Sequence, residues 1–258
     1  MPHWLRPPPA DCLRGRQVLI TGAGDGIGRA AAQTFACYGA NVILLGRTRS
    51  KLETVFDWIS AHTETRSVIV PCDLLGLGDE HAQALADAVQ EEFGQLHGLL
   101  HNASLLGPKV PLAHYPSSDW QQVFQVNVHS AQTLNRALLP LLTHERTSTV
   151  VFTSSSVGRQ GRAFWGAYAA SKFALEGMMQ TLADEVDATS NIKALSLNPG
   201  ATRTSMRAAA YPAEDPISVP APEAHMDLYV QLFRQGASVP QAAQLDIRED
   251  SARAWISD

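Results

Sequence analysis

The sequence predicts a single-domain α/β fold, a doubly wound parallel sheet with helices on both faces. Short apolar runs such as QVLIT at 17–21 alternate with longer helical patterns, which indicates parallel strands joined by crossover helices. With 258 residues, 45% of them apolar and 17% charged, the chain is long enough for one large core. We find no repeat beyond this alternation and no domain boundary, so we predict one domain over residues 1–258.

Composition excludes several classes of function. The formal net charge of −5 argues against non-specific binding to nucleic acid or to an anionic membrane. No apolar run approaches the ~18 residues of a membrane-spanning helix. Residues 1–15 lack an apolar signal core, and their prolines predict an extended lead-in. The three cysteines Cys12, Cys37 and Cys72 have no metal-site or CxxC spacing, so we expect buried or idle thiols, no metal and a cytoplasmic location.

The first strand, Gln17–Thr21, leads into the glycine turn GAGDGIG and then the helical pattern RAAAQTFACYG. Gly22, Gly26 and Gly28 would let the backbone turn tightly and approach a pyrophosphate. The helix start behind them offers free N–H groups and the positive end of a dipole. A glycine cluster alone can be an ordinary turn, but its place between a strand and a helix favours nucleotide binding.

The second strand, Ala40–Arg47, ends without an acidic residue that could bind a ribose 2′-hydroxyl. Arg47 is followed by Arg49 and Lys51, and this basic cluster suits a 2′-phosphate. The alternative is a solvated helix start. Asp25 opposes the phosphate reading because it places a negative charge inside the glycine turn.

Polar residues end the next two strands. After a predicted helix near 50–64, the strand SVIVPCDL at 67–74 ends near Asp73, where the sheet edge could contact an adenine. A helix at 79–93 precedes the strand LHGLLHNAS at 96–104, which contains Asn102. Both residue types also favour turns, so ordinary turn chemistry is an equal alternative.

Asn127 lies in the middle of a long helical pattern over Ser117–Leu142. An amide is mildly unfavourable inside a helix. Asn127 either faces water or disturbs the helix ladder and holds a water molecule for a proton relay, and periodicity does not separate these two readings.

Tyr168 and Lys172 stand four residues apart in the helical run AYAASKFALEGMMQTLADEV, so they share one helix face. An ammonium beside a phenol favours phenolate and would lower the pKa of the tyrosine, which could then transfer a proton. Ser155 follows the predicted strand TVVFTS, and its hydroxyl could reach the same substrate oxygen. Most Tyr-x-x-x-Lys pairs are plain surface neighbours, so the pattern alone leaves that reading open.

The last third of the chain predicts a sixth strand, NIKALSLN, which breaks at Pro199-Gly200. Thr204 would lie at the same sheet edge. Four prolines in 207–225 predict a mobile substrate lid. Residues 224–234 have a helical pattern, and the final 24 residues carry only weak strand signal.

Together these motifs resemble the short-chain dehydrogenase/reductases of the single-domain Rossmann type. The resemblance runs from about residue 13 to about residue 207 and rests on TGAGDGIG, HNAS, Asn127, SSVG, Tyr168-Ala-Ala-Ser-Lys172 and Asn198-Pro199-Gly200. The phrases VFTSSSVGRQGRA and WGAYAASKFALEGMM are similar to a bacterial branch of YciK-like oxidoreductases.

The resemblance implies roles for individual residues. Tyr168 would be the acid/base, Lys172 would lower its pKa and bind the nicotinamide ribose, and Ser155 would hold the substrate oxygen. Asn127 would anchor a water relay to Lys172. The implied cofactor-binding set is Gly22, Asp25, Gly26, Ile27, Gly28, Arg47, Asp73, Leu74, Asn102, Ala103, Tyr168, Lys172, Pro199, Gly200, Thr202 and Thr204.

Three departures from the family pattern stand out. The Asn-Asn-Ala-Gly element reads His101-Asn102-Ala103-Ser104, so Ser104 replaces a glycine where backbone passes close to cofactor. Asp25 stands where many NADP-preferring members carry Arg or Lys. The closing Thr-Gly and Asp-Gly-Gly elements are absent, which puts the last strand in question.

The leading hypothesis is therefore an oxidoreductase that interconverts a carbonyl and a secondary alcohol, with NADP(H) preferred and NAD(H) possible. Its partner would be a small molecule, and the resemblance implies a homodimer or homotetramer. The alternative is a non-catalytic dinucleotide-binding redox sensor. Epimerase or dehydratase chemistry on nucleotide sugars is less favoured, because it usually needs a larger C-terminal domain. Phe164, Trp165 and Tyr211 suggest a partly apolar substrate pocket, but they do not identify the substrate.

Overall fold

The structure is a computed structural model that describes residues 8–142, 147–236 and 240–248. Its seven strands form one parallel sheet in the order β3-β2-β1-β4-β5-β6-β7. The strands are β1 Gln17–Thr21, β2 Asn41–Gly46, β3 Ser67–Pro71, β4 Gly98–His101, β5 Ser148–Thr153, β6 Ile192–Asn198 and β7 Gln244–Asp246. The doubly wound parallel sheet predicted from the sequence is confirmed.

Helices cover both faces of the sheet. They are α1 Gly26–Cys37, α2 Arg49–His62, α3 Asp79–Phe93, α4 Ser117–Phe124, α5 Ser130–Leu138, α6 Gly166–Asp187, α7 Ser205–Ala210 and α8 Met226–Phe233. One core packs α1, α2 and α8 against one face of the sheet, and a second core packs α3, α5 and α6 against the other. Alternate residues of β1 serve different cores, Val18 and Ile20 the first and Leu19 the second, as strand geometry requires.

The order of the strands positions the site. The chain leaves β1 toward β2 on one side and later returns to place β4 on the other side of β1. Adjacent crossovers therefore diverge at the carboxyl ends of β1 and β4. A crevice opens at such a switch point in doubly wound sheets, and ligands bind there.

The long helix predicted over Ser117–Leu142 is interrupted. A π-helical turn, Gln125–His129, separates α4 from α5, and the last turn, Leu139–Leu141, is a 3-10 turn. Asn127 lies in the π turn and is 2% exposed, so the reading in which it simply faces water is wrong. The reading in which it disturbs the helix ladder agrees with the structure. Such π turns are frequent at functional sites.

Two terminal segments differ from their predictions. Residues 1–7 of the predicted extended lead-in lie outside the described residues, but 10–15 form turns rather than an extended strand, and Leu13 is fully buried. At the other end β7 is present, although the sequence carries only weak strand signal there. It pairs with β6 through Leu197 and Leu245. The helix predicted at 224–234 is confirmed as α8.

The segment predicted as a lid has its own local structure. Its first residues belong to α7, and short 3-10 turns follow at Pro216–Ser218 and Pro222–His225.

Among the helices that the structure describes, none is long and apolar enough to cross a membrane. Of the expected buried or idle thiols, Cys12 and Cys72 are partly buried and Cys37 is exposed. Burial still raises the pKa of each thiol, which disfavours the reactive thiolate.

Candidate active site

A cavity of about 490 Å³ lies at the carboxyl ends of the central strands. It runs from the glycine turn after β1 to the start of α6. The residues predicted from the sequence that line it are Gly22, Asp25, Gly26, Ile27, Arg47, Asp73, Leu74, Asn102, Ala103, Ser155, Tyr168, Lys172, Pro199, Gly200, Thr202 and Thr204. Gly28 and Asn127 do not line the cavity, and both support residues that do.

The glycine turn needs its glycines for two separate reasons. Gly22 has φ +70° and Gly26 has φ +51°, a region that other L-residues rarely adopt. Gly28 is required by close packing, because a Cβ there would lie 2.2 Å from the carbonyl oxygen of Gly22. The turn can thus bring backbone N–H groups against a pyrophosphate at the start of α1.

Asp25 caps α1, and its carboxylate is paired with partners within the protein. Its carboxylate accepts hydrogen bonds from the Gly26 N–H at 2.7 Å, from Lys51 Nζ at 2.7 Å and from Ser205 Oγ at 3.1 Å. Burial opposes ionisation of Asp25, but the three hydrogen bonds outweigh it and lower the pKa. The negative charge of Asp25, which in the sequence argued against a 2′-phosphate site, is therefore paired with Lys51.

Among the described residues, Arg47 is the cation at the end of β2 that forms no ion pair with a carboxylate. Arg49 pairs with Glu53 at 2.8 Å, and Lys51 pairs with Asp25. Arg47 lines the cavity, is exposed, and has no carboxylate within 4 Å in the described part of the chain. Of the basic cluster predicted from the sequence, Arg47 is thus the residue best able to bind a phosphate.

Asp73 caps a 3-10 turn, Asn102 follows β4 outside any turn, and both line the cavity. Asp73 Oδ1 accepts a hydrogen bond from the Leu75 N–H at 3.1 Å. Asn102 Nδ2 donates to the carbonyl of Thr21 at 3.1 Å. Thr21 Oγ1 accepts from the backbone N–H groups of Asn102 and Ala103 at 2.9 and 3.0 Å. Thr21, which sequence reasoning missed, thereby ties the end of β4 to the end of β1.

Tyr168 and Lys172 lie on the cavity side of α6, and both are deeply buried at 8% and 1% exposure. Lys172 Nζ is 5.4 Å from the centre of the Tyr168 ring and donates to the carbonyl of Thr153 at 2.8 Å. Ser155 begins a short turn after β5 and accepts a hydrogen bond from the Val157 N–H. The sequence placed these three groups together, and the structure brings them to one end of the cavity.

The predicted pKa shift of Tyr168 is wrong in direction for the protein alone. Burial raises the pKa of Tyr168 to about 12, and the nearby hydroxyls of Ser155 and Ser104 lower it only partly. Burial also lowers the pKa of Lys172 to about 8, against the opposite effect of the Glu176 carboxylate. The ammonium interacts with the Thr153 carbonyl instead of the phenol oxygen, so burial dominates. Tyr168 is a protonated phenol at neutral pH.

Ser104 places a second hydroxyl, besides that of Ser155, next to the phenol of Tyr168. Its Oγ is shielded from solvent and makes no hydrogen bond of ordinary length to any described residue, although it lies near enough to Tyr168 to lower its pKa. A buried hydroxyl without a partner costs about 1–3 kcal/mol. Ser104 is thus available to a group that enters the cavity. The sequence signal was the serine in place of an expected glycine.

Asn127 holds the wall behind Tyr168. Its amide exchanges two hydrogen bonds with the backbone of Leu105, at 2.7 and 3.0 Å, and donates to Ser171 Oγ at 2.9 Å. Ser171 Oγ in turn donates to the carbonyl of Tyr168 at 2.8 Å. The π turn thus fixes the loop after β4 against the helix that carries Tyr168 and Lys172.

Glu176 is a buried acid that sequence reasoning missed. Its carboxylate accepts hydrogen bonds from Ser154 Oγ and from Ser196 Oγ, the latter at 2.6 Å, and it pairs with Arg159 at 3.2 Å. It lies one helical turn beyond Lys172, and that spacing was the available signal. Glu176 ties α6 to the ends of β5 and β6.

Aromatic rings extend the cavity beyond Tyr168. The ring centres of Tyr168 and Trp165 are 5.8 Å apart, and those of Trp165 and Tyr211 are 5.9 Å apart. Leu106 and Met206 pack beside them. Phe164, expected at this pocket, does not line the cavity and its side chain is 54% exposed.

Comparison with known proteins identifies the family of this chain. The family model for short chain dehydrogenases matches residues 16–215. The chain belongs to the short chain dehydrogenase family, a class that acts on small molecules.

Two kinds of relative are particularly similar. The chain is 50% identical over 226 residues to the uncharacterized oxidoreductase YciK of Escherichia coli K12, which covers 88% of this chain and 89% of that protein. A candidate short chain dehydrogenase from Pseudomonas syringae has 48% identity and a TM-score of 0.91, over 94% of this chain and 98% of that one. Another from E. coli CFT073, solved in complex with NADPH, has 47% identity and a TM-score of 0.89, over 94% of this chain and all of that one (100%).

Proposed function

We propose that the protein is an NADP(H)-dependent oxidoreductase that interconverts a carbonyl and a secondary alcohol by hydride transfer. One observation carries this proposal: a buried phenol, Tyr168, shares a continuous cavity with a glycine turn built to approach a pyrophosphate. The hydroxyls of Ser155 and Ser104 beside the phenol support the same reading. The NADPH complex of the E. coli relative supports the choice of cofactor.

The residues of the cavity fit a dinucleotide. The glycine turn packs closely on itself, because a Cβ at Gly28 would lie 2.2 Å from the Gly22 carbonyl oxygen, and the start of α1 offers N–H groups to phosphate. Arg47 would bind a 2′-phosphate, Asp73 and Leu74 the adenine side, and Thr204 the nicotinamide end. When bound, the cofactor supplies or accepts the hydride.

Tyr168 acts as the proton donor in the direction of reduction. Its pKa of about 12 keeps the proton on the phenol until a carbonyl oxygen develops negative charge. Ser155 and Ser104 donate hydrogen bonds to the same oxygen, which stabilises that charge. Lys172, with a pKa near 8, keeps a positive charge at neutral pH and binds the nicotinamide ribose. Asn127 anchors a water relay to Lys172 from the π turn.

The setting of this activity follows the sequence predictions. We propose that 207–225 covers the substrate as a lid, that the protein works in the cytoplasm, and that it forms a homodimer or homotetramer. Phe173 on α6 supports assembly, because this large apolar side chain is 45% exposed. Nucleic acid and membranes have no part in the proposed activity.

A panel of ketones and aldehydes, followed through the absorbance of NADPH, tests the proposal. We expect at least one carbonyl compound to be reduced with NADPH. Calorimetric titration of NADPH provides the control. If NADPH binds but no carbonyl in a broad panel is reduced, the redox-sensor alternative replaces the enzyme. The contact between Ser205 and Asp25 would then connect cofactor binding to the lid segment.

A further inference from the structure

The rings of Tyr168, Trp165 and Tyr211 form an aromatic wall of the cavity. Three cationic side chains contact Tyr211, at the end of this wall that is far from Tyr168. The guanidinium carbon of Arg207 lies 3.8 Å from the ring centre, and Lys109 Nζ lies 4.5 Å from it. Arg162 Nη1 donates to Tyr211 Oη at 3.0 Å. Three positive charges are therefore collected around one side chain that lines the cavity.

Among the described residues, one of these three charges, that of Arg207, has a carboxylate partner. Arg207 binds Glu214 in a bidentate pair, at 2.6 and 2.5 Å. Lys109 donates to the carbonyl of Ala210 at 2.8 Å, and neither Lys109 nor Arg162 has a carboxylate within 4 Å among residues 8–142, 147–236 and 240–248. Like charges held this close repel one another, and an anion between them would remove that cost.

The aromatic wall connects these cations to Tyr168. From Tyr168 the wall passes through Trp165 to Tyr211 in two ring-to-ring steps of 5.8 and 5.9 Å. Lys109 Nζ is also 4.8 Å from the centre of the Trp165 ring, so it lies at the rim of the wall. A molecule with its carbonyl at Tyr168 and an apolar body on Trp165 would reach these cations.

The cationic end is separate from the site predicted for the cofactor phosphates. Arg47 and the glycine turn follow β2 and β1, whereas Trp165 and Tyr168 follow β5. In the sheet, β1 and β4 lie between β2 and β5. Lys109 and Arg162 are thus free to bind something other than the dinucleotide.

We propose that the substrate is an anionic carbonyl compound, in which an apolar body separates the carbonyl from a carboxylate or phosphate that Lys109 and Arg162 bind. This proposal rests on the proposed function and deepens it. The aromatic wall accepts the apolar body, and the two cations select acids over neutral ketones of the same shape. Arg207 holds Tyr211 in place through its pair with Glu214.

Three matched probes test the selection: 4-(3-oxobutyl)benzoate, its neutral primary amide, and 4-(3-oxobutyl)phenyl phosphate. The rate of reduction is measured with NADPH, and binding is measured by calorimetry to the protein loaded with NADP⁺. We expect a tenfold to hundredfold advantage of an acid over the amide, mainly in KM, because hydrogen bonds to charged groups discriminate by roughly that factor. Comparison of the carboxylate with the phosphate identifies which anion the site prefers.

Variants locate the effect. Lys109→Gln and Arg162→Gln should each reduce the advantage of the acids over the amide about tenfold. Lys193→Gln is the matched control, because Lys193 lies near the amino end of β6, away from the carboxyl ends that form the cavity, and pairs with Asp187. It should change nothing.

The two proposals can fail separately. If the acids bind better than the amide but no probe is reduced, the anion site stands and the proposed activity falls. If the amide is reduced or bound as well as both acids, or if the glutamine variants keep the advantage of the acids, the anion site is wrong whatever the activity.

Discussion

Replacement of Arg47 by alanine should abolish most of the preference for NADPH over NADH. Hydrogen bonds to charged groups contribute roughly 1.5–3 kcal/mol each, and the exposure of Arg47 keeps the net value near the lower end. Since ~1.4 kcal/mol is tenfold in affinity, we expect wild-type protein to prefer NADPH by about ten- to a hundredfold. In the variant, the ratio of the affinity for NADPH to the affinity for NADH should fall at least about tenfold, and the affinity for NADH should stay unchanged.

The structure supplies a matched control two residues away. Arg49 carries the same charge, but it pairs with Glu53 at 2.8 Å, so Arg49→Ala should alter the ratio little. Both cofactors are titrated by calorimetry into the three proteins at fixed ionic strength. Equal affinities for the two cofactors in wild type, or equal effects of the two substitutions, would refute the assignment of Arg47.

Two further predictions concern stability and assembly. His101 is buried, burial lowers its pKa to about 4, and its imidazole hydrogen-bonds to Asn135 at 2.7 Å. An unfolded histidine titrates near 6.5, so the unfolded state binds more protons between pH 6.5 and 4 and stability falls as pH falls through that window. Urea unfolding should show His101→Asn losing about 3 kcal/mol less than wild type from pH 6.5 to pH 4, and an equal loss would contradict this. Light scattering at micromolar concentration should show at least a dimer, Phe173→Ser should weaken it, and a wild-type monomer would refute the assembly.

Local patterns in the sequence predicted much of the fold because they report local physics. The bounds of β1 and α3 agree with the prediction, since a short apolar run and a strong helical pattern define each element by itself. The glycine turn could be predicted because glycine adopts positive φ angles far more readily than other residues. The fourfold spacing of Tyr168 and Lys172 placed both on the cavity side of α6.

Features that depend on contacts between distant segments were not readable. The π turn at Asn127 is stabilised by Leu105 and Ser171, which are remote in sequence. The pairing of Asp25 with Lys51 likewise joins the glycine turn to α2. Sequence pattern therefore identified the charged groups but not which of them remain free.

The pKa of Tyr168 illustrates the same limit at the centre of the site. Helical spacing correctly predicted that Lys172 shares its face, but it carried no information on the direction of the ammonium or on burial. The Thr153 carbonyl accepts a hydrogen bond from that ammonium, and burial then raises the pKa of Tyr168. In the sequence, Ser104 stood out only as a departure from the family pattern. Its closeness to the phenol of Tyr168 could not be predicted.

The most direct test of the account is the rate of Tyr168→Phe on the best carbonyl compound of the panel, with NADPH affinity measured on the same protein. The substitution removes the transferable proton and leaves the ring. We predict a loss of at least ~10²–10⁴-fold in kcat, the usual contribution of a general acid, with the Kd for NADPH nearly unchanged. Tyr38→Phe, at the end of α1, should keep the wild-type rate. Turnover by Tyr168→Phe at the wild-type rate would contradict the role of Tyr168 as the proton donor.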